Sequence, residues 1–455
     1  MKILSVMEKR IAPAVRFWLL AMLVFLPFQL RLADELGFVV PFLRSLKYLD
    51  ELTVLVLFPP ALWIFFRERN KLHYLQYIFW PLAVLGLFGL ISGWINHLPL
   101  MITAMGSFDY VKNFLPLFIY AAFFPMASDW QKALRFLVIT AVVLGVFAVY
   151  QESINLVFSL FFPASAGTGI ELAMLPRIFG DYLRIGLLRT PSLTIHPNLF
   201  GLFTLLVLTY YLFTKRKVNP LVFLALYGGI FFCLSRIVGL SFIVLAGIQF
   251  LRGRKWMVFP TIPLAIFLFL MGSYFDSNVI KSKNPRMATY FGVQTHYTPQ
   301  MSSIRSQLRE KALAVFNDHP VAGSGPGTFG GIVSFKYRPE LFKKYKVIQW
   351  QYDSLKKFGS LDQFWPQLLA ELGVVGTSIF VLLLVVLALV FIIAGRAAPD
   401  IATRGFFLAA ALATGYIFIY LFSNGLNMTA FLYTYSALAG MVFGGHALCG
   451  EKQND

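Results

Sequence analysis

The chain has 455 residues, of which 58% are hydrophobic and 13% charged, and its formal net charge is +18. Soluble globular domains carry about 25% charged residues, so this composition excludes that class and indicates a protein of the membrane. Apolar runs of about 20 residues, the length that crosses a hydrocarbon core as a helix, recur from one end of the chain to the other. We therefore expect an all-α integral membrane protein.

The apolar segments, taken in chain order, predict about 12 membrane-spanning helices. The first follows a basic start and lacks a small-residue cleavage site, so we interpret it as a retained helix and not as a signal peptide. Residues 1–273 are expected to hold helices 1–9, residues 274–363 one large, basic, partly helical loop domain, and residues 364–455 helices 10–12. The segments lie near residues 15–31, 50–66, 74–95, 111–127, 132–151, 196–214, 218–235, 237–251, 256–273, 364–395, 403–422 and 429–448.

Short clusters of lysine and arginine indicate the orientation, because such clusters favour the cytoplasmic side. With the helices above, every cluster falls on the same side of the membrane. The loop domain is then periplasmic, and its own basic charge does not contradict this because long loops escape the rule. The clusters lie at the N-terminus and near residues 67–71, 132–135, 215–217, 252–255 and 396–404.

Residues 218–251 form an apolar stretch that would be roughly 50 Å long as one helix, which exceeds a single crossing. Both of its ends are basic, so we predict a helical hairpin with its outer tip at "LSRIVG", Leu234 to Gly239. Arg236 then lies at the external edge of the hydrocarbon, where an unpaired guanidinium is costly and a functional role is expected. The alternative is an arginine that reaches the headgroups or pairs with a carboxylate.

The positive charge of the external loop has two explanations. Anionic lipid headgroups would attract the cluster of Lys343, Lys344 and Lys346. Arginines at fixed positions would instead bind the phosphate oxygens of an anionic substrate in bidentate fashion. Nucleotide-activated donors are absent outside the cytoplasmic membrane, so a transferase there needs a lipid-linked donor, and a polyprenyl diphosphate sugar meets this requirement. Fixed cations would stabilise the charge that grows on its leaving group.

No metal ion and no cofactor are expected. The sequence contains no Asp-x-Asp pair, and no His/Cys cluster has the spacing of metal ligands. "GPGTFG", Gly325 to Gly330, matches the dinucleotide-binding pattern, but no strand precedes it and no βαβ unit surrounds it. His319 precedes this turn-rich stretch. We place it among the substrate-binding candidates, with a structural role as the alternative.

Motifs in a fixed order along the chain carry a family resemblance. They are "RTPSLTIHPNLFG" from Arg189, "LSRIVGL" from Leu234, "SSIRSQLREKALAVFNDHPVAGSGPGTFG" from Ser302 and "LDQFWPQLLAELGVVG" from Leu361. Together they resemble the O-antigen ligase and O-antigen polymerase superfamily of bacterial envelope glycan assembly. With the expected helices and the single large external loop, the likeness covers most of the chain.

The resemblance implies metal-independent glycan transfer from undecaprenyl diphosphate at the periplasmic face of the bacterial inner membrane. The arginine of the family's Ser-Arg pair matches Arg236, and the loop arginine upstream of the glycine-rich stretch matches Arg305. Both therefore look like ligands of the donor diphosphate. Arg309 lies four residues after Arg305 and would share its face on a helix. Arg184 and Arg189, in another external segment, are further substrate-binding candidates.

The last motif departs from the ligase pattern. Ligases look like His-Asn before the "LAELG" helix, whereas this chain has Asp362 and Gln363, which favours a polymerase of sugar repeats. Asp362 is expected to act as a general base or to orient the acceptor hydroxyl, or only to cap the helix that Pro366 helps to begin. Glu371 is expected to satisfy a buried contact, with a functional role as the alternative for an acid inside the membrane.

The sequence therefore predicts an O-antigen or exopolysaccharide polymerase that joins undecaprenyl-diphosphate-linked repeat units. One alternative is a ligase that transfers glycan onto lipid A core. Another is a polysaccharide or lipid transporter, although the chain shows no internal repeat and few charges within its spans. The expected partners are the lipid-linked donor and acceptor, membrane lipids, a chain-length regulator and a repeat-unit flippase, and no nucleic acid.

Overall fold

The computed structural model of the protein describes residues 2–161, 183–184, 187–188, 190–276, 299–345, 364–420 and 429–447, apart from positions 69, 71, 127, 191, 195, 331 and 338. Within these residues the chain is helical, with short connections and one small β-ribbon. In the ribbon Leu183 pairs with Leu188 and Arg184 with Leu187 in antiparallel register. The described part thus has the all-α class that the composition predicts.

The helices and strands are numbered in chain order. They are α1 (Lys2–Val39), α2 (Leu49–Arg67), α3 (His73–Ile95), α4 (Leu100–Val111), α5 (Pro116–Phe123), α6 (Asp129–Phe161), β1 (Leu183–Arg184), β2 (Leu187–Leu188), α7 (Pro197–Thr214), α8 (Pro220–Phe232), α9 (Arg236–Leu251), α10 (Val258–Asp276), α11 (Pro299–Asp318), α12 (Ile332–Tyr337), α13 (Pro339–Lys344), α14 (Phe364–Ala397), α15 (Ile401–Tyr420) and α16 (Thr429–Ala447). Short 3-10 turns at Pro41–Tyr48, Lys112–Phe114 and Lys255–Met257 connect some of them.

Seven helical segments of the described chain are long and apolar enough to cross a membrane. Four shorter apolar helices accompany them, and each segment predicted from the sequence overlaps a helix. The protein is thus a multi-pass helical membrane protein, while the total of about 12 spans and the side on which its loops lie stay predictions. The seven segments are Ala12–Val39, Pro41–Arg67, His73–Ile95, Asp129–Ile154, Pro197–Thr214, Phe364–Ala397 and Ile401–Tyr420.

Helix α4 is not among the helices that the sequence predicts. It is 12 residues long and contains Gly106, Ser107 and Asp109, so an average over a membrane-length window does not single it out. It packs against α3 at close range, because a Cβ added to Gly89 would lie 2.5 Å from the hydroxyl oxygen of Ser107. This short helix carries Tyr110 into the protein interior.

The described residues divide into two compact units, and the first contains α2–α5, α11–α16 and the N-terminal half of α1. In this unit α5 packs against α16, where small residues let the backbones approach. A Cβ on Gly440 would meet the carbonyl oxygen of Leu117, and a Cβ on Gly444 would lie 2.5 Å from the carbonyl oxygen of Ala121. A larger residue at either position would push the two helices apart.

The second unit contains α7–α10, the β-ribbon, most of α6 and the remainder of α1. Its helices α8 and α9 are separate, so the predicted break of the 218–251 stretch into a hairpin is confirmed. The Asn219 side chain accepts hydrogen bonds from the N–H groups of Leu221 and Val222 and caps the start of α8. The break follows at Leu234, whose φ of 45° lies in the left-handed region that ends helices.

Helix α7 begins in the way that its sequence predicts. Pro197 is its first residue, and the Nδ1 atom of His196 accepts a hydrogen bond from the N–H of Asn198 at 3.2 Å. Proline at the first helical position and a side-chain acceptor before it are ordinary helix-start chemistry. His196 is therefore a helix cap.

Candidate functional site

In the first unit, α11 carries Arg305 and Arg309, and His319 directly follows its last residue. Arg309 is exposed and His319 is half-buried. The helix continues through both arginine positions, so their spacing of four residues corresponds to about one turn, as the sequence predicts. Asp362 lies outside the described residues, before α14 begins at Phe364.

In the second unit, Arg236 is the first residue of α9 and its side chain is exposed. It therefore lies at the tip of the α8–α9 hairpin, where the sequence places it. Arg184 lies in strand β1 of the ribbon, and Arg189 is outside the described residues. Ser235 precedes α9 as its N-cap residue but forms no side-chain cap hydrogen bond.

The glycine-rich stretch after His319 folds into a loop that lies against α14. The N–H of Ser324 donates to the carbonyl of Ala370, and the N–H of Gly325 donates to that of Glu371, both at 2.9 Å. In return the N–H of Val374 donates at 2.9 Å to a carbonyl of the loop. The loop thus takes over hydrogen bonds that an uninterrupted helix would make internally.

Two glycines make this docking possible. Gly373 has a φ of 62° and a ψ of −166° and forms a kink inside α14, a conformation that costs other residues about 1–3 kcal/mol. Gly323 has a φ of 71°, and a Cβ there would meet the backbone carbonyl group of Glu371. The loop and α14 approach each other too closely at this point for any side chain to fit between them.

A buried carboxylate lies at the centre of the contact. Glu371 is 1% exposed and accepts three hydrogen bonds, from the Tyr110 hydroxyl at 2.7 Å, the Gly327 N–H at 3.0 Å and the Phe329 N–H at 2.8 Å. Desolvation of a carboxylate costs several kcal/mol, which such charge-assisted hydrogen bonds offset at about 1.5–3 kcal/mol each. Its predicted role in a buried contact is therefore confirmed.

The same contacts explain what "GPGTFG" does. The N–H groups that a glycine-rich loop can offer to a phosphate form a concave donor set. Here Gly327 and Phe329 give these donors to the side chain of Glu371. The described loop therefore serves as an internal docking element rather than as a dinucleotide site.

An apolar cluster fixes α11 onto this junction. Ala312 and Val315 of α11 pack with Phe329 of the loop, Phe342 of α13 and Ala370 of α14, and all of them are buried. Phe329 stacks on Phe342 with ring centroids 5.2 Å apart. The C-terminal half of α11 is thus held by apolar packing that includes the docked loop.

A polar contact closes the exposed end of α11. The Tyr345 hydroxyl donates to the Asp318 carboxylate at 2.7 Å, and the Lys344 ammonium lies 3.6 Å from the same group. The hydrogen bond from Tyr345, with a smaller contribution from the charge of Lys344, lowers the pKa of Asp318. The positive charge of Lys344, one of the lysines expected to attract lipid headgroups, is thus partly used in an ion pair within the protein.

In the second unit, a turn after Arg189 is held by buried side chains. The carbonyl oxygen of Ser192 accepts hydrogen bonds from Arg31 at 3.0 Å and from Gln151 at 3.4 Å. The side-chain oxygen of Gln151 also accepts a hydrogen bond from the hydroxyl of Thr190.

The same turn makes further contacts with α6 and α8. Ser192 has a φ of 54°, and its hydroxyl donates to the carbonyl of Leu144. The N–H of Thr190 donates to the carbonyl of Phe232 at the end of α8. This turn therefore lies against the hairpin that bears Arg236.

Sequence reasoning missed Arg31, Gln151 and Tyr110. Arg31 and Gln151 lie in apolar helices, and a polar residue in such a helix is itself a signal for a buried contact or a function. Tyr110 gave no comparable signal, because tyrosine is common near membrane interfaces. None of their partners is close in sequence, so the partners could not be inferred.

Comparison with known proteins supports one family. Residues 220–381 match the family model described as O-antigen ligase, and no curated protein matches the chain. The matched segment runs from the start of α8 into α14 and contains Arg236, Arg305, His319 and Asp362. Residues 220–381 are thus similar to the O-antigen ligase family.

Proposed function

We propose that the protein is a glycosyltransferase of the bacterial inner membrane that joins undecaprenyl-diphosphate-linked oligosaccharide repeat units at the periplasmic face. The observation that carries this proposal is the O-antigen ligase match over residues 220–381, which contains every residue proposed to be catalytic. A polymerase is preferred over a ligase because Asp362 and Gln363 replace the His-Asn that ligases show before this helix.

In the proposed reaction the hydroxyl of the acceptor sugar attacks the anomeric carbon of the donor. A glycosidic C–O bond forms, and the bond to undecaprenyl diphosphate breaks, so the diphosphate leaves with the electron pair. Arg236 and Arg305 stabilise the negative charge that grows on it. Asp362 takes the proton of the attacking hydroxyl or orients that hydroxyl. Arg184, Arg189, Arg309 and His319 are proposed to contact substrate.

The chemistry of arginine suits this role. Its guanidinium stays charged and offers donors in a planar fork that matches phosphate oxygens. The proposed mechanism needs no metal ion and no cofactor, because fixed cations neutralise the leaving group. A chain-length regulator and a repeat-unit flippase are the proposed partners, since lipid-linked units must reach the outer face before they are joined.

The test is complementation of a deletion strain with Arg236→Ala or Arg305→Ala. Both variants are expected to abolish long glycan chains at unchanged protein level, because each removes a cation from the leaving group. Arg216→Ala is the matched control, since Arg216 is exposed and lies in a cluster predicted to be cytoplasmic. Normal long chains from both site variants would remove the proposed site.

A ligase is the second candidate, because the matching family model carries the description O-antigen ligase. The two functions leave different products when the protein is deleted. Loss of a polymerase leaves single repeats attached to the final acceptor, whereas loss of a ligase leaves the glycan on its carrier lipid. Gel banding of the surface glycan, together with extraction of carrier-linked glycan, separates them.

A further inference from the structure

Glu371 is a buried ionisable group that the proposed reaction does not use. Its carboxylate joins three segments that are far apart in sequence, namely α4 through Tyr110, the glycine-rich loop through Gly327 and Phe329, and its own helix α14. A residue that only filled space at this position would be apolar. Three hydrogen-bond donors converge on this side chain, so the position requires an acceptor.

The donor set requires a carboxylate and not an amide. An ionised glutamate only accepts hydrogen bonds, so both of its oxygens can face the converging N–H and O–H groups. Phe329 donates to Oε1, while Gly327 and Tyr110 donate to Oε2. The NH2 group of a glutamine would place a donor against at least one of these donors. Glu371→Gln is therefore nearly equal in shape but breaks the junction.

The junction controls the direction of α11. The loop follows α11 directly, because the N–H of His319 still donates to the carbonyl of Val315 and the N–H of Gly323 then donates to the carbonyl of His319. Four residues after His319 the chain is already docked on α14 at Gly323. With Ala312 and Val315 packed on Ala370, α11 cannot tilt on α14 without a loss of these contacts.

The arginine-bearing part of α11 therefore extends from this anchor. Arg305 lies about 20 Å up α11 from His319, counted by helical rise. A small rotation at the anchor becomes a displacement of several ångströms at the arginine. A misplacement of about 1 Å can already cost about a hundredfold in rate.

We infer that Glu371 is a positioning residue, which fixes the arginine-bearing helix α11 relative to α14. The inference rests on the proposed function, since it assumes that Arg305 binds the donor diphosphate. Glu371 itself contacts no substrate in this scheme. It acts through the loop, and its loss moves Arg305 rather than removing a reacting group.

The test is a double-mutant cycle on binding of undecaprenyl diphosphate to the full-length protein in detergent micelles, measured by thermophoresis. Arg305→Ala and Glu371→Gln are each expected to weaken binding about tenfold. The double variant is expected to bind no more weakly than Arg305→Ala alone, because both changes act through the same side chain. Glu68→Gln, which removes the partner of Arg67 elsewhere in the unit, is the matched control and should leave binding unchanged.

A purely structural role gives a different result. The unfolding temperature does not discriminate between the two roles. Glu371→Gln should lower it by the same amount in the wild-type and Arg305→Ala backgrounds, whether Glu371 positions α11 or only stabilises the fold. Unchanged binding by folded Glu371→Gln, or losses that add in the double variant, would overturn the positioning role. If Glu371→Gln does not fold, Tyr110→Phe removes one donor and leaves the two backbone hydrogen bonds, with an expected loss of about threefold. Unchanged binding by folded Tyr110→Phe would then overturn it.

Failure of the proposed function looks different from failure of this inference. If Arg305→Ala weakens binding and Glu371→Gln does not, only the positioning role is wrong. If the wild-type protein does not bind undecaprenyl diphosphate, or Arg305→Ala binds normally, the proposed function is wrong and the positioning role falls with it.

Discussion

Each unit holds one irregular segment against its helices, and the two do so with opposite chemistry. In the first unit the carboxylate of Glu371 accepts from backbone N–H groups of the glycine-rich loop. In the second unit Arg31 and Gln151 donate to a backbone carbonyl of the turn at Ser192. The loop is thus fixed by a buried anion, and the turn by a cation and an amide.

The two units therefore differ in the sign and the surroundings of the charge that holds the segment. The anion of the first unit accepts hydrogen bonds from three donors and is 1% exposed, so it acts within the protein. Arg31 is half-buried and donates to a neutral carbonyl of the turn. The second unit therefore adds positive charge beside the turn that contacts the hairpin of Arg236.

The largest effect is expected from Gly323→Val. Its Cβ would meet the backbone of Glu371, and the residue would also be strained at a φ of 71°, so the loop must leave α14. We expect a loss of about 3 kcal/mol or more in the free energy of unfolding, together with loss of long glycan chains. Thermal unfolding and gel banding measure the two effects.

Gly247→Ala is the control for this substitution. Nothing lies within 4 Å of a Cβ at Gly247, and alanine favours a helix over glycine by about 1 kcal/mol. Equal behaviour of the two variants would show that the loop does not dock as described.

A smaller effect is expected from Arg31→Ala in the second unit. The change removes a charge-assisted hydrogen bond to the carbonyl of Ser192, and we expect a loss of about 1.5–3 kcal/mol in the free energy of unfolding. Arg31→Lys should recover part of it, because lysine keeps the charge but not the planar fork. Thermal unfolding that is identical for both variants and the wild type would remove the proposed difference between the units.

The exposed end of α11 should respond to pH. The hydrogen bond from Tyr345 lowers the pKa of Asp318 in the folded protein, so its stabilising contribution is present above the unfolded pKa of about 4 and is lost as the pH falls through the lowered value. Tyr345→Phe should therefore lower thermal stability slightly at neutral pH and less in acid. Tyr77→Phe, at an exposed tyrosine, serves as control. A difference that grows in acid would contradict the assignment.

No effect is expected from metal removal. Because fixed arginines are proposed to neutralise the leaving diphosphate, glycan transfer in proteoliposomes should proceed equally with and without EDTA. A rate that falls with EDTA and returns with a divalent cation would show that a metal ion shares this task.

The sequence predicted the features that depend on local composition. Long apolar runs correspond to helices, the basic ends of residues 218–251 correspond to a hairpin, and the histidine and proline at 196–197 correspond to a helix start. These features depend on residues that are neighbours in the chain. Helix α4 was missed because its polar residues lower the hydropathy of a short segment.

Contacts between distant residues were beyond sequence reasoning. The glycines of the "GPGTFG" loop indicated a special backbone, but nothing in them pointed to Glu371 as the acceptor of its N–H groups. Tyr110 and Arg31 owe their roles to partners more than a hundred residues away. The motif resemblance identified Arg236 and Arg305 as chemical candidates, while the anchor of α11 emerged only from the fold.

The side of the membrane on which α11–α13 lie tests the account most directly. Single cysteines at the exposed Lys343 and Lys217, in a background with Cys233→Ser and Cys449→Ser, can be labelled in spheroplasts with a membrane-impermeant maleimide. The account predicts labelling at position 343 in intact spheroplasts and at position 217 only after lysis. Labelling at 217 but not at 343 in intact spheroplasts would contradict a periplasmic reaction on a lipid-linked diphosphate.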